Sequence, residues 1–439
     1  MAAGAAVRHV HPGQPAAQRG TSVDHAIHGH PLLMSAIRSS SPPSRPGRVA
    51  HIGRTTHIRP ETAWHDGAVH PVELLRALRG RGLRPAALLG SWGGFTAVVA
   101  PTPVLAPGRL PDGAPWLGLI GYPDQVHSDR RLLPEVIGGD PGPLLLRRGD
   151  GTWESTDPTF RIPTVPGPAA PWSAAWRTPP RRDHRAAVLA CQEAIRAGDV
   201  YQVNVCTRFD GDLDGDPLDL FADIAAHTSP AKAAYLEGDW GAVASFSPET
   251  FLTERDGLLT ERPIKGTLPL HQPPERLRAS IKDVAENVMI VDLVRNDLSR
   301  VAETGTVRTP ELLRIEAAPG VWHLVSAVTA RRRSDASRAD LLDATFPPAS
   351  VTGTPKLAAR ERITDWEKHT RGSYCGAIGI DHPSTGLDLN VAIRTVEIRD
   401  GHLRLGVGGG ITIDSDPDAE WRECLDKASS IVGYPSQEG

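Results

Sequence analysis

Two Asp-Gly dipeptides, Asp256-Gly257 and Asp400-Gly401, each stand between runs of β-forming residues, and no other short feature limits the fold of this chain so strongly. Asp-Gly supplies the positive φ angles that a two-residue hairpin turn demands, so each predicts a pair of antiparallel strands. Phe251-Leu252-Thr253-Glu254-Arg255 enters the first turn and Leu258-Leu259-Thr260-Glu261 leaves it, while residues 391–398 and 403–407 flank the second. The second hairpin ends in Gly408-Gly409-Gly410. No Lys-Ser/Thr follows and Ile411 breaks a dinucleotide count, so these glycines read as a place where a ligand comes close to the backbone. The first hairpin runs on into Arg262-Pro263-Ile264-Lys265-Gly266-Thr267. A two-residue turn pairs Lys265 with Pro248 and sets Glu249 beside it, and a three-residue loop places Glu249 directly opposite. Alone, Lys265 reads as a solvated turn residue and Glu249 as a strand-edge charge. In a pocket, desolvation lowers a lysine pKa until the free amine is a usable nucleophile.

The 439 residues allow two domains or one large one, and a formal charge of −4 with 23% charged residues gives no bias towards nucleic acid. Residues 1–58 form an expected tail, rich in Ala, Pro, Arg and Ser, with Asp24 its one acidic residue. Its histidines, among them His9, His11, His28 and His30, lack a completing carboxylate or cysteine. The composition fits a disordered extension, a transit peptide, or a start upstream of the true one, with Met34 the next possible start. Residues 59–180 are expected to form an N-terminal subdomain and linker, the linker being the proline-rich stretch from Pro163 to Pro180, and residues 181–439 the catalytic domain. Cys191, Cys206, Cys375 and Cys424 are widely spaced and read as reduced thiols of a cytoplasmic protein. No apolar run is long enough to span a membrane.

Residues 183–198 have helical spacing, and Val200 to Cys206 alternates like a half-buried strand. Leu277 to Val301 is predicted as one long, largely buried helix interrupted by Glu286, Asp292, Arg295 and Asp297. Those charges read equally as an ion-pair network or as a metal or substrate site. Thr352-Gly353-Thr354-Pro355 opens a helix reaching about His369, with Pro355 in its first turn. Asp416 caps a last helix on which Glu420, Glu423 and Lys427 share a face, as a solvated salt-bridge face also does. His323 reads as a packed core histidine.

Taken together, the Pro263–Thr267 and Glu286–Leu298 segments, His323, Ser350–Lys356, Arg371–Gly376, Asn390–Thr395 and Gly408–Thr412 closely resemble, over residues 183–437, the chorismate-binding enzymes. That family holds the large subunits of anthranilate and aminodeoxychorismate synthases, with isochorismate and salicylate synthases. The resemblance implies an α/β (α+β) fold of two packed antiparallel sheets surrounded by helices. It implies chorismate as substrate, with Mg²⁺ on Glu286 and Glu423 and Glu420 close by. Tyr374, Arg394 and the amides of Gly409 and Gly410 are implied at the pyruvyl carboxylate, Gly266, Thr267 and Lys427 at the ring carboxylate, and His323 beside the leaving hydroxyl. Lysine at position 265 resembles the aminodeoxychorismate branch, anthranilate synthases having alanine there, and implies catalysis by Lys265 with Glu249 as proton donor. Gln202 stands where isochorismate and salicylate synthases have a lysine. Pro348 and Ala349 depart from the small residues usual in their loop. A glutamine amidotransferase subunit is the implied partner, with 4-aminobenzoate and folate biosynthesis downstream. Anthranilate synthesis and a non-catalytic chorismate-binding role are the alternatives.

Overall fold

The computed structural model describes residues 69–124, 130–163 and 167–434, so the expected tail of residues 1–58 lies outside them. Both Asp-Gly turns form as the sequence predicts: Arg255 faces Leu258 across the first, and Arg399 faces His402 across the second. Each hairpin is built into a different sheet.

Among the described residues the first sheet has 11 strands, and the second hairpin lies inside it, away from both edges. His402–Ile411 pairs on one side with Thr395–Arg399 and on the other with the long Gln202–Asp214 strand. The second, with 10 strands among the described residues, carries the first hairpin, with Thr250–Arg255 against Gly386–Val391 and Leu258–Glu261 against Val321–Arg331. Pairing is antiparallel in both, and helices cover the outer faces. The two inner faces meet in one apolar cluster. Leu88, Trp92, Leu236 and Val243 of the first sheet pack there with Leu117, Leu119, Ile378 and Ile380 of the second. A side chain of that size, fully buried, stabilises by about 1.5–3 kcal/mol.

Strands from residues 86–155 extend both sheets: Ala86–Trp92 pairs with Lys232–Gly238, and Trp116–Ile120 with Ala377–His382. The proline-rich stretch read as a linker contains a strand, Ser173–Arg177, paired with the edge of Gln202–Asp214. Residues 202–207 are buried on both faces, because the strand runs between two layers where a half-buried one was expected. The expected long helix divides at Ser280 into Glu275–Ala279 and Ile281–Ser299. Ser280 is extended, and its hydroxyl accepts from the Asp283 N–H, which caps the second segment. That segment buries one face only, and Val288 is exposed. Pro355 is the N-cap of Lys356–Trp366, not a first-turn residue. Among the described residues no helix is long and apolar enough to cross a membrane.

Candidate active site

Lys265 owes its direction to an irregular strand. Leu258–Glu261 and Ile264–Pro269 lie end to end along Val321–Arg331, with Ile264 opposite Val325 but Thr267 opposite His323. One extra residue on the lysine side makes a β-bulge, a device that re-aims side chains. Gly266 accommodates it at φ 89, where a Cβ would lie 3.1 Å from Asp283 Cβ. The Lys265 ammonium, part-buried, donates to Ser350 O at 2.9 Å. Its charge pulls down the proton affinities of Glu249, Glu286 and Glu423 together, so it sits among the carboxylates.

The first hairpin keeps the two-residue register, but its pairs reach only Thr253 and Thr260 and Ile264–Pro269 pairs with Val321–Arg331, so neither expected partner, Pro248 or Glu249, stands opposite Lys265. Instead Glu249 Oε1 accepts from the Ile264 N–H at 3.4 Å, one residue from the lysine. Glu249 is buried, and burial raises its pKa despite opposition from Ser350, Lys265 and Lys427.

Three expected carboxylates are supplied by two helices. Glu286, on Ile281–Ser299, is buried. Its Oε2 accepts from Gln202 Nε2 at 3.3 Å, while Oε1 has no hydrogen-bond partner among the described residues. Burial raises its pKa. Lys282, one turn earlier, reaches Glu420 Oε1 at 3.0 Å and Glu286 Oε1 at 3.8 Å. Glu423 pairs with Lys427 at 2.8 Å, and Lys427 also donates to Gly408 O at 2.8 Å. Burial works against it, yet the lysines, Lys427 first, hold the Glu423 carboxyl below its ordinary value. The face shared by Glu420, Glu423 and Lys427 therefore looks into the site, with Glu420 itself buried. Among the described residues no three acidic, thiol or imidazole groups converge closely enough to hold an ion, since lysines span the gaps.

At the other end, the Tyr374 and Arg394 loops are joined by bonds from Cys375 N to Ala392 O and from Ala392 N to Gly376 O. Arg394 is partly buried at φ 50, with no ion pair or hydrogen bond to its guanidinium among the described residues, and burial alone lowers its pKa. Tyr374 is buried against Gly406, where a Cβ would fall 2.3 Å from its ring. His323 Nδ1 meets Thr267 Oγ1 at 3.0 Å, and burial, helped by the Arg394 charge, pushes the imidazole down to about 4. It is therefore neutral at physiological pH. Asn204 donates its N–H to Thr352 O, away from the glycine strand. By parity its partner Gly410 also turns its backbone groups outward, while those of Gly409 face Val205. Gly410 alone of the two expected amides is thus available to a ligand. A Cβ there would lie 2.2 Å from Gln202 Nε2, and one at Gly409 would lie 3.3 Å from Glu420 Oε2.

The other charges read as interrupting the Glu286 helix form ion pairs, one of the two readings the sequence left open. Asp297 pairs with Lys356 at 2.5 Å, whereas Asp292 and Arg295 are exposed and face each other at 3.4 Å. Lys282 had a local signal, lying four residues before Glu286 on one helix. Ser350 and Lys356 reach the site only through tertiary packing.

This pairing of a bulged lysine strand with an open glycine strand is found in a chain that belongs to the chorismate binding enzyme family, whose model matches residues 162–433. The chain is 39% identical over 342 residues to aminodeoxychorismate synthase component 1 of Klebsiella aerogenes, covering 72% of this chain and 76% of that one. It is 42% identical over 248 residues to the Salmonella typhimurium protein of the same name, covering 55% of each. In fold it is similar to anthranilate synthase component I from Streptococcus pneumoniae, with TM-score 0.63 and 25% identity, over 74% of this chain and 82% of that one.

Proposed function

We propose that this chain is the chorismate-converting component of an aminodeoxychorismate synthase, exchanging the C4 hydroxyl of chorismate for an amino group from ammonia. The observation that carries the reading is the bulge at Lys265 and Gly266, which aims an amine at a site framed by Glu249, Glu286 and Glu423. Arg394, whose guanidinium has no anion to balance it among the described residues, holds the pyruvyl carboxylate with Tyr374 and the Gly410 amide. Thr267, Gly266 and Lys427 face the ring carboxylate. His323, neutral, orients Thr267.

Once the Lys265 ammonium has given a proton to solvent, its amine attacks C2 as the C4–oxygen bond breaks, and the hydroxyl leaves as water by taking the proton of Glu249. Ammonia bonds to C4 as the bond from C2 to Nζ breaks, and the surplus proton of the new amine returns to Glu249. Glu249 suits this role because its burial keeps the carboxyl protonated further up the pH scale than usual.

Glu286 and Glu423, with Glu420 adjacent, would hold Mg²⁺. The donors fit a hard cation, being all oxygen, and the buried Oε1 of Glu286 accepts no hydrogen bond among the described residues, the Lys282 ammonium lying 3.8 Å away. When bound, Mg²⁺ supplies positive charge against the ring carboxylate. Lys282 must then give up Glu420.

All four cysteines are buried, so none offers an accessible nucleophile for glutamine hydrolysis, and a separate amidotransferase subunit would deliver the ammonia. The product would be a precursor of 4-aminobenzoate. Anthranilate synthesis is a second reading, favoured by the likeness to the Streptococcus pneumoniae enzyme, but it leaves Lys265 without a role. Incubation with chorismate, ammonium and Mg²⁺, followed by mass spectrometry, should yield 4-amino-4-deoxychorismate. Anthranilate in its place refutes the proposal.

A further inference from the structure

Behind Glu249 lies a second buried carboxyl that the reaction has not used. Glu261 ends the return strand of the first hairpin, and its Oε1 is buried with no hydrogen-bond partner among the described residues. Extending the hairpin register by one pair sets Glu261 beside Leu252, and strict alternation would then turn Glu249 to the opposite face. A second bulge, between Thr250 and Leu252 against Gly386–Val391, breaks that alternation. In consequence Glu249 and Glu261 line one cavity of about 10 Å³, together with Phe251, Pro263, Val294 and Ser350. That is room for a single water molecule.

We propose that Glu261 is a positioning residue for Glu249, the two carboxyls sharing one proton across a water in this cavity and keeping it at hand for the departing hydroxyl. This rests on the roles given to Lys265 and Glu249 above. Two carboxyl groups in one apolar pocket do not both ionise readily, so the charge on one strengthens the other's hold on its proton. Burial is the largest influence on each and raises both. The groups facing the pair divide. Ser350, Lys265 and Lys427 favour ionisation of Glu249, Asp297 opposes ionisation of Glu261, and Lys356 partly offsets Asp297. The proton passes to the hydroxyl oxygen as the C4–oxygen bond breaks and comes back from the incoming nitrogen, so the pair ends turnover as it began.

Glu261→Gln keeps the size of the side chain and removes the second ionisation. The alkaline limb of the kcat profile should move down by about one pH unit, which lowers kcat above it about tenfold and leaves KM for chorismate unchanged. Infrared difference spectra of the full chain without substrate read the same pair independently of turnover. The protonated-carboxyl band should titrate at lower pH in Glu261→Gln than in the unmodified protein. By reciprocity Glu249→Gln should shift the remaining band by the same amount, and it serves should Glu261→Gln fail to fold. A band unmoved by either substitution overturns the pair, whereas a shifted band in a protein that makes no 4-amino-4-deoxychorismate refutes only the assigned reaction.

Discussion

Arg394 carries a charge that the described residues do not balance, and an unpaired charge withdrawn from water opposes folding. Arg394→Leu should therefore stabilise the ligand-free protein by about 1 kcal/mol in urea denaturation while chorismate binding weakens at least about thirtyfold. A less stable variant with intact binding would show that the guanidinium belongs to the scaffold. His323 makes the complementary case. Its pKa falls from 6.5 to about 4, so the folded state binds fewer protons than the unfolded chain between those values. Stability should drop as pH falls through that window and be indifferent to this residue above it. From pH 7 to pH 5 the unmodified protein should lose about 2 kcal/mol more than His323→Gln. Equal losses would place His323 in a more solvated setting. Neither property is legible in the sequence. An arginine after Ala392-Ile393 and a histidine after Val321-Trp322 look like many others, and what marks them is the absence or presence of a neighbour brought from elsewhere in the chain.

At the scale of elements, the hairpins were readable because Asp-Gly is a local device whose backbone preference survives any context. The bulges were not. Each is defined by a partner strand, Val321–Arg331 for the lysine and Gly386–Val391 for Glu249, and local alternation says nothing about which strand that is. The long helix failed for a similar reason. Its apolar residues run through most positions, yet Ser280 breaks it and tertiary packing selects one face. The glycine after the lysine is the visible trace of the bulge. Gly266→Ala puts a side chain at φ 89 and 3.1 Å from Asp283 Cβ, which should cost about 1–3 kcal/mol and lower kcat at least tenfold in protein that is still folded. Full kcat in this variant would mean that the bulge does not aim the lysine.

The two sheets are held in register by more than apolar contact. Lys232 of the first sheet pairs with Asp388 of the second at 2.6 Å, both buried, and the ammonium lies 4.4 Å from the ring centre of Trp92. Asp388→Ala strands the lysine charge and should cost about 3–5 kcal/mol, while Lys232→Met with Asp388→Leu should regain most of that. A loss below about 1 kcal/mol in the single variant would show that water reaches the pair. At this scale the two-sheet fold was legible only through resemblance to a family, because strands far apart in sequence, such as Trp116–Ile120 and Ala377–His382, announce no pairing of their own. On the proposed reading, the whole assembly serves to bring one amine, from the end of a hairpin, against a substrate held by residues of the other strands. The most direct test withholds ammonia. With chorismate and Mg²⁺ alone, intact-protein mass spectrometry should find the chain heavier by one chorismate less one water, mapped to the peptide containing Lys265 and missing from Lys265→Ala. An unmodified mass in a protein that turns over once ammonium is added would contradict the account.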